Sequence, residues 1–301
     1  MCGIAGAFKM SSGRITISSL QKIAIGIEKR GPHAWGMSWI DGIGRIHSYK
    51  APGRITEGLF LIQQLKDFNP IGVIMHTRFK THGSAEHNAN NHPHPSDGGW
   101  FVHNGQIPNW QDLIEEHELM PLTDCDSEVL GLIAQYKEGS LIRRWKYAIN
   151  QTDRTRPLCM AGLWSRPGRA VLAKRGNPLM MSEGRSGNVY FSSLKEGLPG
   201  KPKRAPESTI ACFDLNQRTV SHELLRDFID TRIKIAGSGA GTHTAMSARI
   251  DAGFNTRGIT DRYATTTTVL DNAGDRLKYE PRETKSQRKR ARKLHRTNDW
   301  D

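Results

Sequence analysis

The chain has 301 residues with a net charge of +13, and 37% of its residues are hydrophobic and 24% charged. That length supports one large domain or two small ones with a sizeable core, and the composition is that of a soluble globular chain rather than a fibrous or low-complexity one. No apolar run approaches the ~20 residues of a membrane span, no basic stretch followed by an apolar run marks a secretory signal, and the four cysteines are scattered without a CxxC pair, which favours a reducing, cytoplasmic setting over a disulfide framework.

Cys2 directly follows the initiator Met in Met1-Cys2-Gly3-Ile4. A small second residue lets the Met be removed, and one residue then carries both a thiol and a free α-amine. The thiolate is the nucleophilic form. An α-amine titrates at about 7.7–8.0, so near neutrality it can take the proton of its own side chain, directly or through a water. The plain alternative is a structural cysteine beside a first strand. Further along, Ser18 with Gln21 reads as a capping box. Leu20, Ile23, Ala24 and Ile27 recur at helical spacing and Gly31-Pro32 gives a stop, which predicts a helix over 19–30. Thr56 is placed to cap a second helix carrying Leu59, Ile62, Leu65 and Phe68, ended by Asn69-Pro70.

Residues 71–75 form a short apolar run between turn signals, hence a buried strand that delivers His76-Thr77-Arg78 at its end. Residues 100–102 form another, delivering His103-Asn104-Gly105. Asn109 is placed to cap a helix through Leu113 and His117, and 126–136 and 141–149 read as two more. From Met160 the texture is β, with strands at 161–164, 170–173, 189–191, 210–213 and 220–224. Helices in the first half with strands throughout predict an α+β layered fold over residues 2–230. Beyond Asp230 large apolar residues thin out and Ala236–Thr244 has linker composition, so 231–301 reads as a flexible, basic C-terminal tail.

Five segments stand in order: Cys2-Gly3-Ile4, Arg30-Gly31-Pro32, the run from His76 to Gly83, His103-Asn104-Gly105, and Asp126-Ser127-Glu128-Val129. With this order and approximate spacing the chain resembles the class II glutamine amidotransferases, which are N-terminal-nucleophile hydrolases. Asn90-Asn91-His92-Pro93-His94-Pro95 makes it most similar to the glutaminase domain of glucosamine-6-phosphate synthase. The resemblance implies a four-layer αββα sandwich and hydrolysis of L-glutamine to glutamate and ammonia through a Cys2 thioester. It implies that the Asn104 side chain and the Gly105 N–H form the oxyanion hole, a pair of donors fixed before charge develops. Arg78 would bind the glutamine carboxylate, Asp126 the ammonium, and Thr81 and His82 would also hold the substrate. On residue pattern alone His103-Asn104-Gly105 also reads as a plain Asn-Gly turn, and Asp126 as a helix N-cap. No cofactor is implied. The histidines at 76, 82, 87, 92 and 94 match no tight zinc spacing, and the resemblance accounts for His82 and for His92-Pro93-His94 without a metal.

There are departures. His33 stands where the family usually has an acid, and Phe79 and Lys80 where the similar domain has Trp and Ala. No Walker-type phosphate loop or pyrophosphatase motif follows the glutaminase segment, so the expected ammonia acceptor is an enzyme on a separate chain. Lys and Arg crowd residues 282–296 against a single Glu283, a block suited to nucleic acid or to an acidic protein surface. Two other functions compete: an N-terminal-nucleophile hydrolase acting on a different amide, and a silent scaffold that binds nucleic acid through the tail. Arg78 with Asp126 favours free glutamine over the first, and complete retention of Cys2, Arg78, Asn104, Gly105 and Asp126 argues against the second.

Overall fold

The computed structural model describes residues 1–79, 83–229, 231 and 268–269. In chain order the elements are β1 (Gly3–Phe8), α1 (Ile17–Glu28), β2 (Ala34–Ile40), β3 (Ile46–Pro52), α2 (Leu59–Phe68), β4 (Gly72–Arg78), β5 (His94–Ser96), β6 (Gly99–Gly105), α3 (Trp110–Glu116), α4 (Glu128–Tyr136), α5 (Leu141–Gln151), β7 (Leu158–Trp164), β8 (Arg169–Arg175), β9 (Met180–Glu183), β10 (Val189–Ser192), β11 (Lys203–Arg204), β12 (Thr209–Asp214), β13 (Thr219–Leu224) and β14 (Thr268–Val269). One sheet runs β11-β9-β10-β1-β4-β2-β3-β14 and the other β13-β12-β8-β7-β6-β5. Among the described residues no helix is long and apolar enough to cross a membrane.

Three apolar layers stack these parts. Leu20, Ile23, Ile27, Ile62 and Leu65 of α1 and α2 pack on Ala5, Met37, Val73 and Met75 of the first sheet. Ile4, Phe8, Ile74, Trp100, Val102, Leu172 and Phe213 fill the space between the sheets. Phe101, Met160, Val171 and Ile210 then face Val129, Ile133, Trp145 and Ile149 of α4 and α5. The order is helix, sheet, sheet, helix, the αββα sandwich expected. The strands alternate faces with period two: in β1, Ile4 and Phe8 enter the middle layer while Ala5 and Ala7 face α1.

Several local expectations change. The hairpin of β2 and β3 was not predicted; it is paired over its full length, Ala34 opposite Pro52 to Ile40 opposite Ile46. Helix α1 begins at Ile17 after Thr16, without a side-chain cap bond, so Ser18 and Gln21 form no capping box; the Gln21 amide instead donates to the Leu59 carbonyl. Thr56 sits inside a 3-10 turn (Ile55–Gly58) ahead of α2, where its N–H and hydroxyl both donate to Glu28 Oε2, at 2.9 and 2.5 Å. Asn109 precedes α3 but spends its side chain tying Gln151 and Asp153, not capping.

Helix α4 reaches the second sheet through Gly131. A Cβ there would meet Phe101 Cε1 at 2.6 Å and Ser96 Cβ at 3.3 Å, and the Gly131 carbonyl accepts from Ser96 Oγ at 2.9 Å. Alanine would gain about 1 kcal/mol of helix propensity, but overpacking against a ring in a close-packed layer costs about 1–3 kcal/mol. The expected result is that Gly131→Ala lowers the urea midpoint at unchanged m-value. A midpoint at or above wild type would show that the helix approaches the sheet less closely than described.

Candidate active site

The period-two alternation decides which side chains meet. Cys2 lies one residue before β1 with the inward parity of Ile4. Arg78 ends β4 with the parity of Ile74, and Asn104 shares that of Trp100 and Val102 in β6. Pairing of Gly3 with Thr77 brings Cys2 alongside Arg78. His76 Nε2, 3.1 Å from the His103 carbonyl, joins the two sheets at the same end. Since a carbonyl only accepts, Nε2 carries the proton. Nucleophile candidate, arginine and amide therefore open into one end of the gap between the sheets.

Cys2 is partly buried. Its Sγ donates to the Phe79 carbonyl at 3.7 Å and accepts from the Phe79 N–H at 3.4 Å. Burial raises the thiol above its ordinary range; the Phe79 N–H, the terminal amine of Met1 and Arg78 pull it back, and Asp126 pushes it up. Those charges place Cys2, Arg78 and Asp126 within electrostatic reach of one another. Arg30 Nε donates to the Cys2 carbonyl at 2.7 Å. Gly31 lies so close to the Arg78–Phe79 backbone that a Cβ would meet Phe79 N at 2.6 Å. The Arg30-Gly31-Pro32 motif thus fixes the chain on both sides of the thiol. His33 packs its ring on Phe79, centroids 5.1 Å apart, so the residue in place of the family's acid shields the same loop.

Arg78 is buried. It donates to Asn91 Oδ1 at 2.7 Å and to the Gly83 and Ser84 carbonyls at 3.3 Å. Asn91, which the sequence placed in the run 90–95 without a role of its own, donates in turn from Nδ2 to the Ala85 carbonyl at 2.7 Å. Asn104 is buried, and its Nδ2 has no hydrogen-bond partner among the described residues. Its carbonyl accepts from Asn177 Nδ2 at 2.6 Å, a residue that the sequence did not point to, because it follows β8 far from any motif. Gly105 closes β6, where a Cβ would strike Pro157 O at 2.7 Å. The stretch 103–105 is therefore strand, paired with Leu158–Met160, and not the Asn-Gly turn that residue pattern alone allowed.

Asp126 does not cap a helix, since α4 starts after Ser127. Its Oδ2 accepts from the Ile107 N–H at 2.7 Å, and Oδ1 lies 3.4 Å from Ser127 Oγ. Ser127 Oγ also meets His103 Nδ1 at 2.8 Å. The neighbouring acids are otherwise engaged: Glu128 accepts from the N–H groups of Leu122 and Thr123, and Asp124 pairs with Asn90. Thr81 and His82, with Lys80, fall outside the described residues, as does the basic block 282–296.

A scan against protein-family models finds no match. Among curated proteins, the glutamine–fructose-6-phosphate aminotransferase (isomerizing) of Idiomarina loihiensis is 28% identical over 290 residues, covering 91% of this chain and 46% of that protein. The enzyme of the same name from Helicobacter pylori is 30% identical over 203 residues, covering 64% of this chain and 32% of its own. The chain thus spans about half or less of the length of these relatives. Among solved structures, the glutamine phosphoribosylpyrophosphate amidotransferase of B. subtilis shares the fold with a TM-score of 0.60 at 18% identity, over 74% of this chain and 49% of that one. With a cysteine at the head of an interior strand, two sheets stacked between helices and these likenesses, the chain is similar to the class II glutamine amidotransferases in both sequence and fold.

Proposed function

We propose that the chain hydrolyses L-glutamine through Cys2 and supplies the ammonia to an acceptor. The observation that carries the reading is the convergence of Cys2, Arg78 and Asn104 at one end of the inter-sheet gap, with the Asn104 amide N–H buried and unpaired among the described residues. A buried donor without a partner costs about 1–3 kcal/mol, a cost that becomes useful where negative charge develops.

Met1 is 70% exposed, within reach of a peptidase. Its removal frees the Cys2 amine. That amine takes the thiol proton, Sγ attacks the side-chain amide carbon, and the oxyanion is met by Asn104 Nδ2 and the Gly105 N–H. The proton returns to the leaving nitrogen as ammonia departs, leaving a thioester. Water, deprotonated by the same amine, opens it to glutamate and restores the thiol. Arg78 binds the α-carboxylate and Asp126 the ammonium; Thr81 and His82 complete the substrate site. A nucleophilic thiol needs a reducing, cytoplasmic compartment. The acceptor in this proposal is an enzyme on a separate chain, and the segment 282–296 is offered to an acidic surface or nucleic acid.

Glutaminase turnover should appear only in protein whose mass and N-terminal sequence begin at Cys2. Cys2→Ser should lower kcat by orders of magnitude, because a hydroxyl is far less ionised at neutral pH. Full turnover from a chain with a blocked, unprocessed Met1 would end the proposal. Asn104→Ala should reduce kcat by about 10²–10³ with little change in KM. Arg78→Ala should instead act mainly on KM, lowering kcat/KM by roughly ten- to a hundredfold. Equal effects of both substitutions on KM would place the oxyanion elsewhere. A chain ending at Asp230 should keep its turnover, since every described residue of the three apolar layers precedes that point; loss of turnover with retained folding would show that the tail completes the site.

A further inference from the structure

Below the site lies a group of side chains that the hydrolysis does not use. His92, His94 and Cys125 are buried, 3%, 1% and 6% exposed. Their ligand atoms all lie within 4.8 Å of one another. Both ring nitrogens of His92 and the Nε2 of His94 have no hydrogen-bond partner among the described residues. Buried imidazole nitrogens are ordinarily paired, because an unmet polar atom in a dry interior costs about 1–3 kcal/mol. One ring nitrogen from each histidine, gathered beside a thiol, asks for a common partner.

We infer that His92, His94 and Cys125 form a binding site for a zinc ion, with the fourth tetrahedral position left to water. Two imidazoles and one thiolate are the donor set of a borderline-soft divalent ion. At zinc bond lengths of ~2.0–2.3 Å, neighbouring donor atoms stand about 3.5 Å apart, so the side chains need to close by only roughly 1 Å. The histidines are ready: burial and the surrounding cations hold both well below their ordinary pKa, so each ring is neutral and keeps a lone pair for the metal. The thiol is not, since burial lifts it to about 11. The Cys125 proton therefore leaves to solvent as the zinc–sulfur bond forms, and the metal supplies the charge that stabilises the thiolate. Lys50, whose ammonium is held by the Ala89, Asn91 and Pro93 carbonyls at 3.2, 2.7 and 3.3 Å, lies within electrostatic reach of Cys125 and favours the same ionised form.

The site also has a place in the architecture. Asn91, next to His92, holds Arg78. Asp126 follows Cys125, with Oδ1 3.9 Å from its Sγ. A zinc ion would cross-link the segment that holds Arg78, through Asn91, to the loop that carries Asp126. The spacing rules set it aside because they describe ligands on one helix or one tight loop, whereas these come from the start of β5 and from a loop some thirty residues later.

The test reads metal, not turnover, so it stands whether or not glutamine is the substrate. Protein expressed in zinc-supplemented medium and purified without chelator should carry one zinc per chain by mass spectrometry. Metal-free protein loaded with cobalt(II) should show thiolate-to-cobalt charge-transfer absorption. Cys125→Ser should abolish that band, and His94→Ala should weaken zinc binding by more than about tenfold in competition with a chromophoric chelator. Cys2→Ser should leave both unchanged. Circular dichroism of the metal-free variants checks that they fold; if they do not, the zinc content and cobalt spectrum of the unaltered chain decide. Absence of bound zinc and of cobalt absorption in the unaltered chain overturns the inference, as does a band that survives Cys125→Ser or disappears with Cys2→Ser.

Discussion

The site depends on β1 being an interior strand. The first residues of a chain usually fray unless something ties them down. Here Gly3–Phe8 is paired on both sides, to β10 and to β4, with six register partners on the β4 side alone. The Ile4 N–H also bonds Ser193 Oγ at 3.0 Å. The proposed nucleophile at the second residue is thus placed by a sheet rather than by a loop, and the ladder that builds the core also aims the thiol. Arg30 on the Cys2 carbonyl and Phe79 on its sulfur complete the hold.

The second sheet supplies the opposing wall by the same means. Strand β6 alternates, so that His103 turns to Ser127 on the helix side and Asn104 to the gap. A shift of one residue in the pairing of β6 with β7 would exchange the two. Phe101 against Gly131 and Trp145 fixes that register from the helix side, which links the packing of α4 and α5 to the proposed oxyanion donor.

Much of this was legible in the residues. Runs bounded by turn signals marked β4 and β6, and motifs at their ends marked Arg78 and Asn104. What stayed hidden was whatever depends on partners distant in sequence. Residues 34–40 are buried throughout, so β2 lacks the alternation that betrays a half-exposed strand. Ser18, Thr56 and Asn109 carry the right chemistry for caps, yet tertiary partners claim or replace them: Glu28 takes Thr56, and Gln151 with Asp153 takes Asn109. Asn91 lies in a run that gave it no role and Asn177 lies outside every motif, and only the folded chain shows that one steadies the arginine and the other the Asn104 backbone.

The distribution of the four thiols has one more consequence. Cys125, Cys159 and Cys212 are buried, while Cys2 alone is partly open to solvent. An alkylating reagent small enough to enter the gap meets a single accessible sulfur in the native chain, so incorporated label counts Cys2 directly. Peroxide follows the same route, and its sulfenic and sulfinic products would accumulate at that one atom before the fold itself is touched.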